Sequence, residues 1–282
     1  MQVISSIAEL RARLNEERAI AFVPTMGNLH EGHLDLMRLA RENSSREHGS
    51  CVVASIFVNP LQFGPNEDFD QYPRTLAADC AKLQGLVDVV FAPSASEMYP
   101  VQQTVFVEPP PVASELCGAA RPGHFRGMAT VVLKLLNIVQ PQLALFGKKD
   151  YQQLHIIRTL AAQLNLPVSI VGGETVRAHD GLALSSRNQY LTEVERSEAV
   201  FLYQTLQAMR RSVLQGARDF ELLQQQALKA LSDRGWLVDY VAVRDQSDLQ
   251  PASGGQRDLV ILAAARLGKT RLLDNVEVCI GE

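Results

Sequence analysis

His30 and His33 flank Glu31 and Gly32 in the stretch PTMGNLHEGH (24–33). Imidazoles three residues apart share one side of a helical turn and can donate hydrogen bonds to phosphate oxygens as charge builds on them. An apolar run at 19–23 precedes the stretch, and Leu34, Met37, Leu39 and Ala40 recur after it at helical spacing. It therefore reads as strand, loop and helix, the unit in which an α/β fold places a ligand at a strand's C-terminal end. The first helical turn is expected to offer unpaired backbone N–H groups and the positive end of the macrodipole, a natural anion site. Gly32 has no side chain to obstruct a ligand's approach to the backbone. A bare His-x-Gly-His also fits a solvated histidine pair at a helix end, so catalysis requires further groups beside it.

Three further stretches carry candidate groups at strand ends or in loops. The β-rich run CVVASIFV (51–58) ends in NPLQF, with Gln62. LALF (143–146) runs straight into Gly147, Lys148, Lys149 and Asp150. Ser185, Ser186, Arg187 and Asn188 lie in a polar loop after a change of texture near 172–173. Taken singly, each also fits a loop amide, a surface charge pair or a turn. A glycine-rich stretch at 117–127 adds Arg121, His124 and Arg126 and is expected to lead into an apolar helix at 128–139.

The elements that must position these groups follow from pattern. Ser5 or Ser6 caps a first helix to Leu14, and apolar runs at 19–23, 51–58, 87–92, 104–107, 143–146 and 168–171 read as strands alternating with helices. That alternation predicts a doubly wound parallel sheet of five or six strands. The polar 64–74 segment, broken by Pro65 and Pro73, is expected as a long mobile loop of the kind that closes over sites. Beyond residue 173, helices at 192–215 and 220–234 and strands at 238–243, 259–265 and 276–280 predict a separate α+β domain. The expected division is 1–175, a Rossmann-like domain, and 176–282, a smaller domain closing over the site.

Composition narrows the class. Across 282 residues, 46 % hydrophobic and 21 % charged is ordinary globular usage. A net charge of −4 gives no electrostatic reason to expect nucleic acid. The charged first eighteen residues show no apolar signal-peptide region, so no signal peptide is expected, and no apolar stretch reaches the ~18 residues of a membrane span. The four scattered cysteines form no Cys-x-x-Cys and suggest neither zinc nor disulfides. A cytoplasmic protein with buried thiols is expected.

Jointly, the stretches PTMGNLHEGH (24–33), SIFVNPLQF (55–63), YPRT (72–75), RPGHFRG (121–127), GKKDYQQ (147–153), LSSRN (184–188) and ARLGKTRLLDN (265–275) resemble the pantothenate synthetase (pantoate–β-alanine ligase) family of the His-x-Gly-His nucleotidyltransferase superfamily. The match runs in order over nearly the whole chain. The resemblance implies ATP-dependent condensation of (R)-pantoate with β-alanine through a pantoyl adenylate, with release of AMP and pyrophosphate. It implies Mg²⁺ with ATP, although it does not assign the metal's ligands, and a homodimer through the N-terminal domain.

Carried over by motif, Met26, Gly27, Asn28, Leu29, His30, Glu31, Gly32 and His33 would line the ATP phosphates. His33 would be catalytic, with His30 beside it. Gln62 and Gln153 would hold pantoate, and Gln62 would also meet β-alanine. Gly147, Lys148, Lys149 and Asp150 would hold the nucleoside, with the Val176 backbone against adenine. Lys148 receives no individual role. Leu184, Ser185, Ser186 and Arg187 would fold over the phosphates, and Lys149 and Arg187 would join the catalytic set. Arg121 and His124 fit phosphate contact or loop closure.

The chemistry suits these residue types. The substrate carboxylate is itself the nucleophile, so the protein supplies alignment and charge stabilisation. Three rivals remain distinguishable. A class I aminoacyl-tRNA synthetase would need a basic tRNA surface. A nucleotidyltransferase acting on a phosphorylated vitamin precursor would show itself in a substrate panel. A non-catalytic nucleotide sensor would bind ATP and produce no AMP.

Overall fold

The computed structural model describes residues 1–44, 50–65 and 67–281. In chain order it contains β1 (Gln2–Ile4), α1 (Ile7–Leu14), β2 (Ala19–Thr25), α2 (Glu31–Ser44), β3 (Ser50–Ile56), α3 (Leu76–Leu83), β4 (Val89–Phe91), α4 (Ala95–Met98), α5 (Cys117–Ala120) and α6 (His124–Val139). Then follow β5 (Leu143–Gly147), α7 (Tyr151–Gln163), β6 (Ser169–Gly173), α8 (Glu193–Glu198), α9 (Val200–Leu214), α10 (Phe220–Ser232), β7 (Leu237–Asp245), β8 (Asp258–Leu267) and β9 (Thr270–Cys279). No helix among the described residues is long and apolar enough to cross a membrane.

The chain forms two compact units. The first comprises 1–111, 121–148 and 156–174, and the second 112–120, 149–155 and 175–282.

The first unit is the doubly wound α/β fold that strand–helix alternation predicts. Its six strands are all parallel, in the order β1-β4-β3-β2-β5-β6. β3 is buried along its interior, as expected of a strand covered on both faces and rich in Val and Ala. Ala21, Val23, Val52, Ala54, Val90 and Leu145 pack with Leu36, Met37 and Ala40 of α2 and with Leu83 of α3. From β2 the chain builds outward through β3 and β4, then returns to place β5 on β2's other side. The sheet therefore reverses direction between β2 and β5, and ligands of doubly wound sheets bind at the carboxyl ends of strands at such a point.

Two features of the sheet differ from expectation. β1 is only three residues long, with Ile4 alone buried, so it carries no readable periodicity. Residues 104–107, expected as a strand, pair with no strand among the described residues: the Val107 N–H donates to Thr130 Oγ1 (3.1 Å), and Phe106 lies under the Arg126 guanidinium. Three prolines follow at 109–111, whose missing N–H groups end any ladder.

The second unit holds an antiparallel sheet in the order β7-β8-β9, with α9 and α10 packed on it around Trp236, Leu206, Leu231, Ile261 and Val276. The helix expected over 192–215 is two, divided at Ala199, and the first opens with a Thr192–Glu195 capping box. Residues 112–120 and 149–155 join this unit for identifiable reasons. The buried Gln152 amide donates to the carbonyls of Val112 (2.8 Å) and Glu115 (2.9 Å) and accepts from the Cys117 N–H (3.0 Å). Tyr151 donates to Glu277 (2.9 Å), and Asn275 donates to the Lys149 carbonyl (2.9 Å).

Candidate active site

The loop after β2 is shaped almost entirely by internal hydrogen bonds. Gly27 (φ +84°) and Asn28 (φ +51°) are both left-handed, and a Cβ on Gly27 would lie 3.0 Å from Ile56 and 3.1 Å from Asp79. Glycine is therefore required there. The carboxylate of Asp79, fully buried on α3, accepts the N–H groups of Asn28 (2.9 Å) and Leu29 (2.8 Å) and the Thr75 hydroxyl (3.0 Å). Lys82 donates to the Leu29 carbonyl (2.6 Å).

The two histidines then cap α2 reciprocally. His30 Nδ1 accepts the Gly32 N–H (3.2 Å), and His33 Nδ1 accepts the His30 N–H (3.3 Å). This has the topology of a capping box, with imidazoles in place of hydroxyl and carboxylate. Because both Nδ1 atoms accept, each neutral ring carries its proton on Nε2. The rings lie 4.0 Å apart between centroids and are half-buried.

The expectation of unpaired backbone N–H groups at this helix start is thus corrected for His30 and Gly32, whose N–H groups the rings consume. Their donor capacity is relayed to imidazole Nε2 atoms, which extend farther than the peptide and suit a phosphate oxygen.

Gln62 is placed beside this loop. A single 3₁₀ turn, Pro60–Gln62, follows β3 and is capped by Asn59. Asn59 Nδ2 donates to Gln62 Oε1 (3.1 Å) and to the Gly127 carbonyl (3.2 Å), while Asn59 Oδ1 accepts from Tyr99 (2.7 Å). This fixes the Gln62 amide: its oxygen is engaged, and its Nε2 lies 3.1 Å from the Met26 sulfur. Burial pushes the Tyr99 phenol well above its ordinary pKa, so it remains a donor to Asn59.

The backbone of Gln62 is held as firmly. Arg121 can only donate, so His124 Nε2 accepts from it (3.0 Å), and Nδ1–H donates to the Gln62 carbonyl (2.7 Å). Arg121 also makes a two-pronged pair with Glu67 (2.5 and 2.7 Å). Burial pushes the Glu67 carboxyl up, but the Arg121 hydrogen bond and charge, with His124 nearby, hold it below its ordinary pKa.

The expected closing loop is consequently anchored in this structure. Phe63 packs edge-on against Phe69 and Tyr72, and Arg74 lies over Phe69. Asn66 lies outside the described residues. Residues 121–123 alone form the loop before α6, because the helix begins at His124 and not at 128.

At the end of β5, across the reversal point from β2, stand Gly147 and Lys148. Lys148 pairs with Glu174 (2.6 Å). The remaining sequence-expected residues belong to the second unit: Lys149, Asp150, Gln153, Val176, Leu184, Ser185, Ser186 and Arg187. There the Lys149 ammonium lies 3.9 Å from Asp150. The Leu184 N–H donates to the Val176 carbonyl (3.0 Å), and Ser185 caps a 3₁₀ turn by accepting the Arg187 N–H (3.3 Å). Gln153 is half-buried; its neighbour Gln152 is the structural amide.

Sequence reasoning missed Asp79 and Tyr99, and it marked the stretch that opens with Asn59 without giving Asn59 a role. Asp79 alone left a signal, a carboxylate four residues before the buried Leu83 and so on the inner face of its helix.

A doubly wound sheet with paired imidazoles and a fixed amide gathered after the central strands defines a nucleotide-handling α/β enzyme. The Pantoate-beta-alanine ligase family model matches residues 2–277, and the chain belongs to that family. It is 58 % identical to the pantothenate synthetase of Methylobacillus flagellatus over 281 residues, 99 % of each chain. Among solved structures it is similar to pantothenate synthetase from Thermus thermophilus, with a TM-score of 0.92 and 45 % identity over 99 % of this chain and all of that one. It is also similar to pantoate-beta-alanine ligase from Francisella tularensis complexed with beta-gamma ATP and beta-alanine, with a TM-score of 0.79 and 35 % identity over 98 % of this chain and 97 % of that one.

Proposed function

We propose that the chain condenses pantoate with β-alanine at the expense of ATP, giving pantothenate, AMP and pyrophosphate through a pantoyl adenylate. The observation that carries this reading is the pair of Nε2–H imidazoles on the loop after β2, with the Gln62 amide beside Met26 on the same loop. One set of groups suits a phosphate and the other a small polyhydroxy acid.

In the first step a pantoate carboxylate oxygen attacks the α-phosphorus of ATP. The bond to the bridging oxygen breaks, and pyrophosphate leaves with the electron pair. His33 and His30 donate to phosphate oxygens as their charge rises. Lys149 and Arg187, carried over by resemblance, offset the charge of the leaving group. Gln62 and Gln153 orient pantoate without neutralising its attacking carboxylate. In the second step the neutral β-alanine amine attacks the acyl carbon, loses its proton and displaces AMP, with Gln62 on the path of entry.

The nucleoside is assigned to Gly147, Lys148, Lys149, Asp150 and the Val176 backbone, and the phosphates also to Leu184, Ser185 and Ser186. Among the described residues, no group of three or more His, Cys, Asp or Glu is arranged to hold a metal ion. Mg²⁺ enters with the substrate, carried on the oxygens of Mg-ATP. Family resemblance also supports a homodimer and a cytoplasmic location.

Formation of AMP and pantothenate only when pantoate, β-alanine and Mg-ATP are all present tests the reading. ATP binding without turnover would replace it with a nucleotide sensor. Gln62→Ala and Gln153→Ala should raise the pantoate requirement about tenfold or more while leaving ATP affinity nearly intact, because each strands hydrogen-bonding groups of the acid. Calorimetric titration with a non-hydrolysable ATP analogue checks this, and equal loss of nucleotide binding would place both residues in the wrong pocket.

A further inference from the structure

The closing stretch of the motif ARLGKTRLLDN has no role in the reaction described above, yet it contains two of the most buried polar groups of the second unit, Asp274 and Asn275. The Asp274 carboxylate takes a two-pronged contact from Arg177 (2.7 and 2.8 Å) and also accepts the Asn275 N–H (2.7 Å). Arg177 further donates to the carbonyls of Gly181 (3.0 Å) and Asn275 (3.2 Å), and its guanidinium lies 3.8 Å from the Tyr203 ring centroid.

Arg177 also pairs with Ala183 in an antiparallel bridge. Together with the Leu184-to-Val176 and Ala178-to-Leu182 bonds, this makes residues 176–184 a short hairpin. Val176 and Leu184 face each other at the open end of that hairpin, and Leu184 leads into the Ser185–Arg187 turn. A guanidinium that reaches both the hairpin turn and β9 ties the hairpin to that strand. From the same strand, Asn275 Nδ2 donates to the Lys149 carbonyl (2.9 Å) and Glu277 accepts from Tyr151 (2.9 Å). β9 thereby holds this stretch at the Lys149 carbonyl and at the Tyr151 side chain.

We propose that Arg177, Asp274 and Asn275 are positioning residues for the nucleotide: one buried network on β9 sets the Val176–Leu184 hairpin and the Lys149 peptide in a common register. The inference rests on the proposed ATP contacts of Val176, Lys149 and Arg187. An ion pair serving only stability would need neither the Asn275 bond to Lys149 nor the reach of Arg177 to the hairpin turn.

The test uses the full-length enzyme and two substitutions that attack different parts of the network. Arg177→Lys keeps the charge against Asp274 but loses the fork. Asn275→Leu keeps the side chain's volume and removes the donor to Lys149, leaving the ion pair in place. Both should raise the KM for ATP or lower the kcat of adenylation by about tenfold, with the KM for pantoate unchanged. Because the two share one register, their combined effect should be less than the product of the separate ones. If Arg177→Lys does not fold, Asn275→Leu alone decides. A lowered melting temperature with ATP kinetics at wild-type values would make the network structural and overturn the inference. Wild-type enzyme that forms no AMP from pantoate, β-alanine and Mg-ATP would instead sink the functional reading on which it rests.

Discussion

Replacing His33 with Ala is expected to lower the rate of adenylation by about 10²–10³ while leaving pantoate affinity close to wild type. The geometry assigns His33 two separable jobs. Its Nδ1 accepts the His30 N–H and caps α2, and in the proposed reaction its Nε2–H donates to phosphate. Only the second gains strength as negative charge grows on phosphate in the transition state. Loss of the cap should cost about 1 kcal/mol of stability, a separate and smaller effect. His33→Asn separates the two, because an amide oxygen can replace Nδ1 at the cap but the shorter side chain cannot reach where Nε2 stood. It should therefore melt near wild type and remain as slow as the Ala variant. Single-turnover adenylate formation is the measurement. A rate near wild type for both variants would reduce His33 to a helix-end residue.

The second large effect is expected at Gly127. A Cβ there would overlap the carbonyl group of Leu61 and come within 2.8 Å of the Gln62 nitrogen. These are backbone atoms, so no rotamer change relieves the clash. Either α6 or the Pro60–Gln62 turn must move, and the Asn59 bond to the Gly127 carbonyl ties the two together. Overpacking of this kind typically costs ~1–3 kcal/mol, occasionally more. Gly127→Ala should lower the melting temperature and, through displacement of Gln62, raise the pantoate requirement at least tenfold. ATP binding should change far less. Thermal melting with calorimetric titration of pantoate checks both, and a destabilised variant with unchanged pantoate affinity would separate Gln62 from this contact.

The sequence made the parallel sheet legible because its central strands are nearly continuous apolar runs, broken by loops that carry Gly, Pro and Asn. It made the His pair and Gln62 legible through spacing and family resemblance. What remained hidden was the support beneath them. The bonds from Asp79 to Asn28 and Leu29 join residues about fifty positions apart, and periodicity within one helix does not report such a partner. The His30–His33 cap was hidden because histidine is not read as a capping residue, so the backbone groups there were expected to face the ligand. β1 was too short to show a pattern, and residues 104–107 had strand composition without a neighbouring strand to pair with. Composition also did not show the contacts that the 64–74 segment makes: the Phe69 and Tyr72 rings pack on Phe63, and Glu67 finds Arg121.

The central claim is that the carboxylate of pantoate attacks ATP before β-alanine takes part. Exchange of labelled pyrophosphate into ATP tests it most directly. His30, His33, Lys149 and Arg187 are assigned to charge at the α-phosphate and the departing pyrophosphate, and pantoate itself supplies the nucleophile. Pantoate and Mg-ATP alone should therefore support exchange, omission of pantoate should abolish it, and omission of β-alanine should not. Exchange that strictly required β-alanine, with pantoate and Mg-ATP saturating and product release excluded as the block, would contradict the account.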